Sequence, residues 1–308
     1  MSGSSRLNSV LEQGRVDLAV LVARIRSEFP DLAFDRATLN DFGDDHAAVF
    51  LDEARVFRFP RNAEVAAHTA SERRLLDALA PVSPIAVPDY ERVSTRGDFG
   101  GYRLIAGQEL SETLFASLAD AVQMRVLDEI GRFLSALHSL PAELVAAGEN
   151  ASDGDAARYV GSYRQRRVRL AAVLAPDLLA AADRFYEALP DAVATTQTAV
   201  THRDFTEDHI LLAPSGDRLA GVIDFTDAAL GDPAFDFTFL WAYGDDAPAR
   251  VAGSYAANEP IAAILARSRW WFARYRLDQI WWALNGDRDY DIARILRDLP
   301  ALFEALRA

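Results

Sequence analysis

The chain of 308 residues contains no cysteine and no lysine. The first absence excludes disulfides, zinc–thiolate centres and thiol nucleophiles. The second means that all 32 basic side chains are arginine. Biased coding DNA is the simplest cause of that. Its chemical consequence is that any phosphate contact needing a cation falls to a planar guanidinium fork and not to an ammonium point charge. No apolar run approaches the length needed to span a membrane. The start, Met1-Ser2-Gly3-Ser4-Ser5-Arg6, lacks an apolar signal core, so no export signal and a cytoplasmic location are expected. Positive charge is scarce, with 32 basic against 46 acidic side chains and a net charge of −14. That balance argues against nucleic acid or membrane partners and favours cationic ligands. There is no internal repeat and no low-complexity tract.

Half of the residues are hydrophobic, enough for two lobes with cores of their own. Apolar spacing predicts a helix over 14–29, strands over 47–51 and 56–59 joined at Asp52-Glu53-Ala54, and a helix over 63–79. Prolines 81, 84 and 88 break the next segment. A strand at 102–105 and Gly107, read as a hinge, follow. Helical periodicity then dominates over 118–140, 156–174, 177–189, 233–243, 261–284 and 292–306. The expected architecture is α+β and bilobal. A small mixed N-terminal lobe with an antiparallel sheet covers 1–105, and a mostly helical C-terminal lobe covers 106–308. Clefts between lobes are favoured ligand sites.

The stretch Thr201-His202-Arg203-Asp204-Phe205-Thr206-Glu207-Asp208-His209 carries the strongest chemical signal. It places Asp204 on a turn, five residues before His209 and just ahead of the apolar strand Ile210-Leu211-Leu212. A second apolar strand, Leu219–Ile223, ends at Asp224. Base, ligand, hairpin, ligand is the order of parts used in kinase-like phosphoryl transfer. Asp204 would orient the attacking hydroxyl, while His209 and Asp224 would hold Mg2+. Magnesium prefers oxygen donors, so His209 is an unusual ligand. The tripeptides Asp41-Phe42-Gly43 and Asp98-Phe99-Gly100 imitate a metal-binding motif but lie outside its strand context.

Arg58 sits inside the apolar strand Val56–Phe59, where a charge needs a partner. Glu72 on the following helix is the expected one, and the pair would set Arg58 over nucleotide phosphates. Gly43, with Asp44 and Asp45, forms a turn whose backbone N–H groups suit phosphates. Ile105, at the hinge, is expected against the nucleotide. Asp232 is placed to cap a helix opened by Pro233, and Asp236 to buttress the catalytic turn. Trp270, Trp271, Phe272, Tyr275, Trp281 and Trp282 are read mainly as core. Asp278 among them, and more weakly Asp245 and Asp246, are expected to bind a cationic, partly apolar substrate. His138 is read as a packing histidine.

With these motifs in hand, the chain resembles the aminoglycoside phosphotransferases, and within them the 2''-phosphotransferases. The resemblance rests on Phe57–Arg61, Gly101–Gly107, Gly131–His138, His202–Leu211, Gly221–Ala228 and Gly231-Asp232-Pro233, and runs over roughly residues 16 to 284. It implies a protein-kinase-like fold, ATP or GTP between the lobes, Asp204 as catalytic aspartate and magnesium on His209 and Asp224. It also implies a substrate pocket among the C-terminal helices. Arg58 departs from the usual lysine of that family, although macrolide phosphotransferases place arginine there. An aminoglycoside hydroxyl is the expected acceptor. A macrolide 2'-hydroxyl, another small metabolite, or a nucleotide-binding pseudoenzyme are the alternatives.

Overall fold

The computed structural model describes residues 16–41, 45–145, 152–286 and 290–306. Helix α1 (Leu18–Glu28) starts where the Asp17 carboxylate accepts a hydrogen bond from the Ala19 N–H, 2.8 Å away. Strands β1 (Ala37–Asn40), β2 (His46–Leu51) and β3 (Arg55–Pro60) follow, then helix α2 (Ala63–Leu79), capped by Asn62. Strands β4 (Arg92–Val93) and β5 (Gly100–Arg103) complete an antiparallel sheet of order β1-β2-β3-β5-β4. Asp52 and Glu53, both with positive φ, make the β2–β3 turn at the predicted place. Asp52 also accepts the Arg36 N–H at 2.7 Å, which fixes the path from β1.

Alternation along β2 and β3 decides what each face of this sheet does. Ala47, Val49, Leu51, Phe57 and Phe59 are buried in one core with Leu21, Ile25 and Phe29 of the α1 region. Arg58 lies one residue out of phase, opposite Ala48 and Gly100, and so points to the other face. There α2 supplies Glu72.

The remainder is mostly helical, as expected of an α+β chain. Strand β6 (Gln108–Glu109) leads to α3 (Glu112–Ser117), α4 (Asp120–His138), α5 (Ser152–Leu170) and α6 (Pro176–Ala192). Four short strands come next: β7 (Ala199–Thr201), β8 (Ile210–Leu212), β9 (Leu219–Val222) and β10 (Ala229–Gly231). Helices α7 (Ala247–Gly253), α8 (Ile261–Asn285) and α9 (Ile292–Ala305) finish the chain. The helical signal over 233–243 resolves into two 3-10 turns, Pro233–Phe237 and Phe239–Tyr243. The first opens as expected, with Asp232 accepting the Ala234 N–H and Pro233 at the first position. A second core gathers Ile130, Phe133 and Leu137 of α4, Phe185 and Leu189 of α6, and Trp271 of α8. The early β1 strand and helices α3 and α7 are too short to show a clear period, and sequence reading missed them.

Strand β8 pairs with both β6 and β9, and β7 pairs with β10. Gly221 in β9 lets the segment at Ala86 approach closely, because a Cβ there would collide with the Ala86 carbonyl. This contact ties the chain ahead of the N-terminal sheet's last strands to the β8–β9 hairpin.

Candidate active site

The turn after β7 is held by one buried carboxylate. Asp236 accepts the backbone N–H of His202 at 2.7 Å and of Arg203 at 2.9 Å. His138 Nε2 bonds the same carboxylate at 3.0 Å, and its Nδ1 meets the Tyr255 hydroxyl at 2.8 Å. Burial alone would raise the Asp236 carboxyl, but His138 and the His202 N–H outweigh it and hold the group below its ordinary value. Asp236 thus buttresses the turn as the sequence predicts. His138, read there as packing, is part of the brace. Arg203 takes φ of 69°, a left-handed conformation that costs a side-chain-bearing residue about 1–2 kcal/mol. Asp236 pins the peptide on its N-terminal side.

The second strut comes from His202. Its Nε2 lies 3.0 Å from the Ile223 carbonyl, next to Asp224. Burial pushes the His202 imidazole down to about 4, so the neutral ring donates that bond. Asp224 itself has φ of 63°. Two non-glycine residues in left-handed conformations, on the two turns that meet here, mark a locally strained site.

The β8–β9 register brings His209 and Asp224 together at the open end of the hairpin, with the Ile223 N–H donating to the His209 carbonyl at 3.0 Å. His209 Nδ1 lies 2.8 Å from the Asp204 carbonyl and 3.3 Å from its carboxylate. That bond leaves Nε2 facing Asp224, whose Oδ2 is 3.9 Å away. Burial pulls the His209 imidazole down, yet the carboxylates of Asp204 and Asp224 together raise it above its ordinary value. The Asp204 and Asp224 side chains stay 46% and 38% exposed, open to a ligand.

Arg58 crosses from the N-terminal sheet to this centre. Its Nη1 donates to Glu72 at 2.8 Å and its Nη2 to Asp224 at 2.6 Å. Nη2 also lies 2.8 Å from Thr226 Oγ1 and 3.1 Å from His46 Nδ1. Burial and the neighbouring Arg58 push His46 down to about 3, so this ring is neutral and accepts. Asp224 is buried enough to raise its carboxyl, but Arg58 and His209 drive it far below the carboxylate range. The Arg58–Glu72 pair is present, and Asp224 extends it. Sequence reading gave no role to His46 or Thr226.

Beside Asp204 lies a cavity of about 290 Å3. Arg158 and Arg166 of α5, Arg203 of the turn and Arg274 of α8 line it, with Asp204, Asp227 and Asp278. Its apolar walls include Tyr159, Phe235, Phe239, Tyr275 and Trp282. Asp278 lies here, as the expectation required, but its two oxygens meet Arg166 at 3.0 Å and Arg274 at 2.7 Å. Two guanidiniums already satisfy the carboxylate expected to read an ammonium group. Asp245 and Asp246 do not line the cavity. They stand exposed ahead of α7, where Asp245 comes within 3.7 Å of Arg269. Ile105 lies just past β5 against Gly221 and lines a separate groove of about 490 Å3 with Ala86 and Leu104. Gly43 lies outside the described residues.

A family model described as "Phosphotransferase enzyme family" matches residues 16–271. The chain belongs to that family. It is therefore a phosphotransferase, and its α+β architecture is the one expected. Among solved structures it is similar to the GDP and kanamycin complex of APH(2")-IIia, at 20% identity and a TM-score of 0.74, over 94% of this chain and 98% of that one. It is similar to macrolide 2'-phosphotransferase MphH from Brachybacterium faecium, at 24% identity and a TM-score of 0.61, over 93% and 97%. It is also similar to ADP-bound aminoglycoside phosphotransferase APH(2'')-Ib, at 19% identity and a TM-score of 0.63, over 94% and 97%. These likenesses establish a shared fold. No curated protein matches the chain in sequence. Among the described residues no helix is long and apolar enough to cross a membrane.

Proposed function

We propose that this phosphotransferase moves the γ-phosphoryl group of ATP or GTP to a hydroxyl of a small molecule, with Mg2+ bound at His209 and Asp224. The observation that carries the reading is the meeting of two part-exposed carboxylates, Asp204 and Asp224, on either side of one imidazole. Asp204 opens on the cavity where an acceptor would lie, and Asp224 opens toward the N-terminal sheet. The nucleotide would lie against residues 1–105, with the acceptor held by 106–308.

The donor set fits magnesium in one particular way. Among the described residues no three or more metal-ligating side chains cluster. Magnesium commonly takes one or two protein carboxylates and completes its shell with phosphate oxygens and water. Asp224 Oδ2 supplies one such carboxylate, and His209 Nε2, 3.9 Å from it, would reach the ion through one of its waters. When bound, the ion would neutralise charge on the phosphates.

The remaining work belongs to the chain itself. Asp204 accepts a hydrogen bond from the acceptor hydroxyl and takes its proton as the new O–P bond forms and the bond to the β-phosphate oxygen breaks. Arg58, held by Glu72 on one edge, would act through Asp224, whose carboxylate it orients at 2.6 Å, and not by gripping phosphates directly. His138 and Asp236 keep the Asp204 turn from drifting, which matters because positioning supplies most of the catalysis in this chemistry.

Aminoglycosides and macrolides are the acceptors that the family resemblance implies. The lining singles out neither: its aromatic walls suit an apolar ring, but about 290 Å3 is small for a macrolide and the guanidiniums oppose the amines of both. The reading is tested with purified protein, Mg2+ and γ-labelled ATP or GTP across a panel of hydroxyl compounds. Transfer that needs Mg2+ and falls at least about 100-fold in Asp204→Asn, with nucleotide affinity unchanged, is expected. Full activity in that variant would remove Asp204 from the chemistry. Tight nucleotide binding without transfer to any acceptor would make the protein a nucleotide-binding pseudoenzyme.

A further inference from the structure

We propose that Thr226 is a positioning residue for the magnesium ligand: with Arg58 it ties down one oxygen of Asp224, so that the other, Oδ2, is left for the ion. This rests on the reading that Asp224 and His209 hold Mg2+.

The unequal surroundings of the two carboxylate oxygens are the first observation. Asp224 Oδ1 accepts from Arg58 Nη2 at 2.6 Å and from Thr226 Oγ1 at 2.8 Å. Oδ2 faces His209 Nε2 at 3.9 Å, beyond hydrogen-bond reach. His209 Nδ1 lies 2.8 Å from the Asp204 carbonyl, which can only accept, so Nδ1 carries a hydrogen. In the neutral ring Nε2 then offers its lone pair to the same gap as Oδ2. A hydrated ion takes oxygen on one side of such a gap and turns a water toward the imidazole on the other.

Hydrogen counting gives the second observation. Arg58 Nη2 has two hydrogens but three acceptors around it: Asp224 Oδ1, Thr226 Oγ1 at 2.8 Å and His46 Nδ1 at 3.1 Å. Its hold on Oδ1 is therefore shared. A guanidinium N–H can only donate, so the Thr226 hydroxyl accepts from Arg58 and keeps its own hydrogen for Asp224. Among the described residues that hydrogen has a single acceptor, Oδ1. Arg58 divides its grip, whereas Thr226 commits its one donor to the carboxylate.

Placement along the chain supplies the third. Asp224 takes φ of 63°, a costly backbone conformation that persists only where the surroundings over-determine it. Thr226 belongs to the same turn, and its β-branched side chain has few rotamers to choose from. Arg58 comes from β3 and is fixed at its other edge by Glu72 at 2.8 Å. Without the Thr226 hydroxyl, Asp224 would be held from the N-terminal sheet alone. It could then turn both oxygens onto the guanidinium fork, which draws Oδ2 out of the gap.

The test uses Mn2+ as a paramagnetic stand-in for magnesium, with the full chain and ADP. Loss of the free-ion resonance signal reports binding. Thr226→Val keeps nearly the same shape and removes the hydroxyl. We expect it to weaken Mn2+ binding about ten-fold, the size of one hydrogen bond to a charged group, and Thr226→Ser to restore binding to within about two-fold of the parent. ADP affinity in EDTA, read by calorimetry, should be the same in all three proteins. Mn2+ binding by the valine variant as tight as in the parent, or tighter, overturns the proposal. So does a serine variant as weak as the valine one. A parallel loss of metal-free ADP affinity also overturns it, making Thr226 part of the packing or of the nucleotide site. If the parent takes up no Mn2+ with ADP, the magnesium reading itself falls and this assignment with it. A valine variant that matches a metal-binding parent sinks the assignment alone.

Discussion

On one side of Asp204, Arg58 is buried and takes Glu72, Asp224, Thr226 and His46 in a single network. On the other, Arg166 lies at the edge of the acceptor cavity with 27% of its side chain exposed, and shares Asp278 with Arg274. The same residue type thus serves two purposes. On the donor side a guanidinium is fully enclosed, so its charge must be matched where it stands. On the acceptor side two guanidiniums share one carboxylate, and one of them, Arg166, is part-exposed. The first arrangement holds one geometry. The second can respond to what enters.

Removing one charge from each side sharpens this contrast most. Arg58→Met leaves Glu72 buried without its cation and Asp224, part-exposed, beside it, and breaking a buried pair from one end costs about 3–5 kcal/mol. Arg166→Met removes a part-exposed guanidinium and leaves the buried Asp278 still paired with Arg274, so it should cost less, about 1–2 kcal/mol. Chemical denaturation of both variants measures the difference. Equal losses would mean that the two arginines are structurally alike and that the contrast is false.

How much of this was legible in the sequence follows the same division. Helix 63–79 was read from its apolar spacing with its observed bounds, and the structure adds Asn62 as its cap. Arg58 stood out as a charge in an apolar strand, and Glu72 was the acid within reach on the next helix. Asp204 and Asp224 stood out as carboxylates at the ends of apolar strands. His46 and Thr226 were missed because only the β2–β3 register and the hairpin geometry bring them to Arg58. His138 has helical spacing within an apolar face, so it looked like core, and its partner Asp236 is 98 residues away. The arginine partners of Asp278 were missed for a related reason. Arg166 lies 112 residues upstream and could not be placed, although Arg274, one helical turn before Asp278, was a visible partner. The acceptor cavity combines α5, α8 and two 3-10 turns, and no local pattern encodes that combination.

Acid should separate the two sides next. The donor side contains three histidines, whereas no histidine lines the acceptor cavity among the described residues. His46 and His202 have folded values of about 3 and about 4, below the ordinary value of about 6.5. The unfolded chain therefore binds protons at these positions before the native chain does, and stability falls as pH drops from about 6.5 toward 4. At pH 5 each contributes a loss of about 2 kcal/mol relative to neutral pH. His209 acts in the opposite sense. Its raised value gives stability that is present in acid and lost as pH rises through its folded value. The two buried rings outweigh it, so the apo protein should lose stability between pH 7.5 and 5, measurable by urea denaturation. His202→Gln should make the profile flatter. A flat profile in the unaltered protein would show that the two buried rings are protonated in place, and the tautomer that ties His202 to Ile223 would be wrong.

The smallest effect concerns Arg203, which belongs to both sides. Its backbone is pinned by Asp236, while its guanidinium lines the acceptor cavity over Phe235. Glycine would adopt the φ of 69° without steric cost, relieving about 1–2 kcal/mol, but it would also give the unfolded chain more freedom, worth about 0.5–1 kcal/mol. Arg203→Gly is therefore expected to be as stable as the parent or up to about 1 kcal/mol more stable. If the side chain is kept there for the acceptor, the same variant should use acceptor less efficiently while its nucleotide affinity stays put. A loss of stability with acceptor use intact would reverse the assignment, making the Arg203–Phe235 contact a packing device.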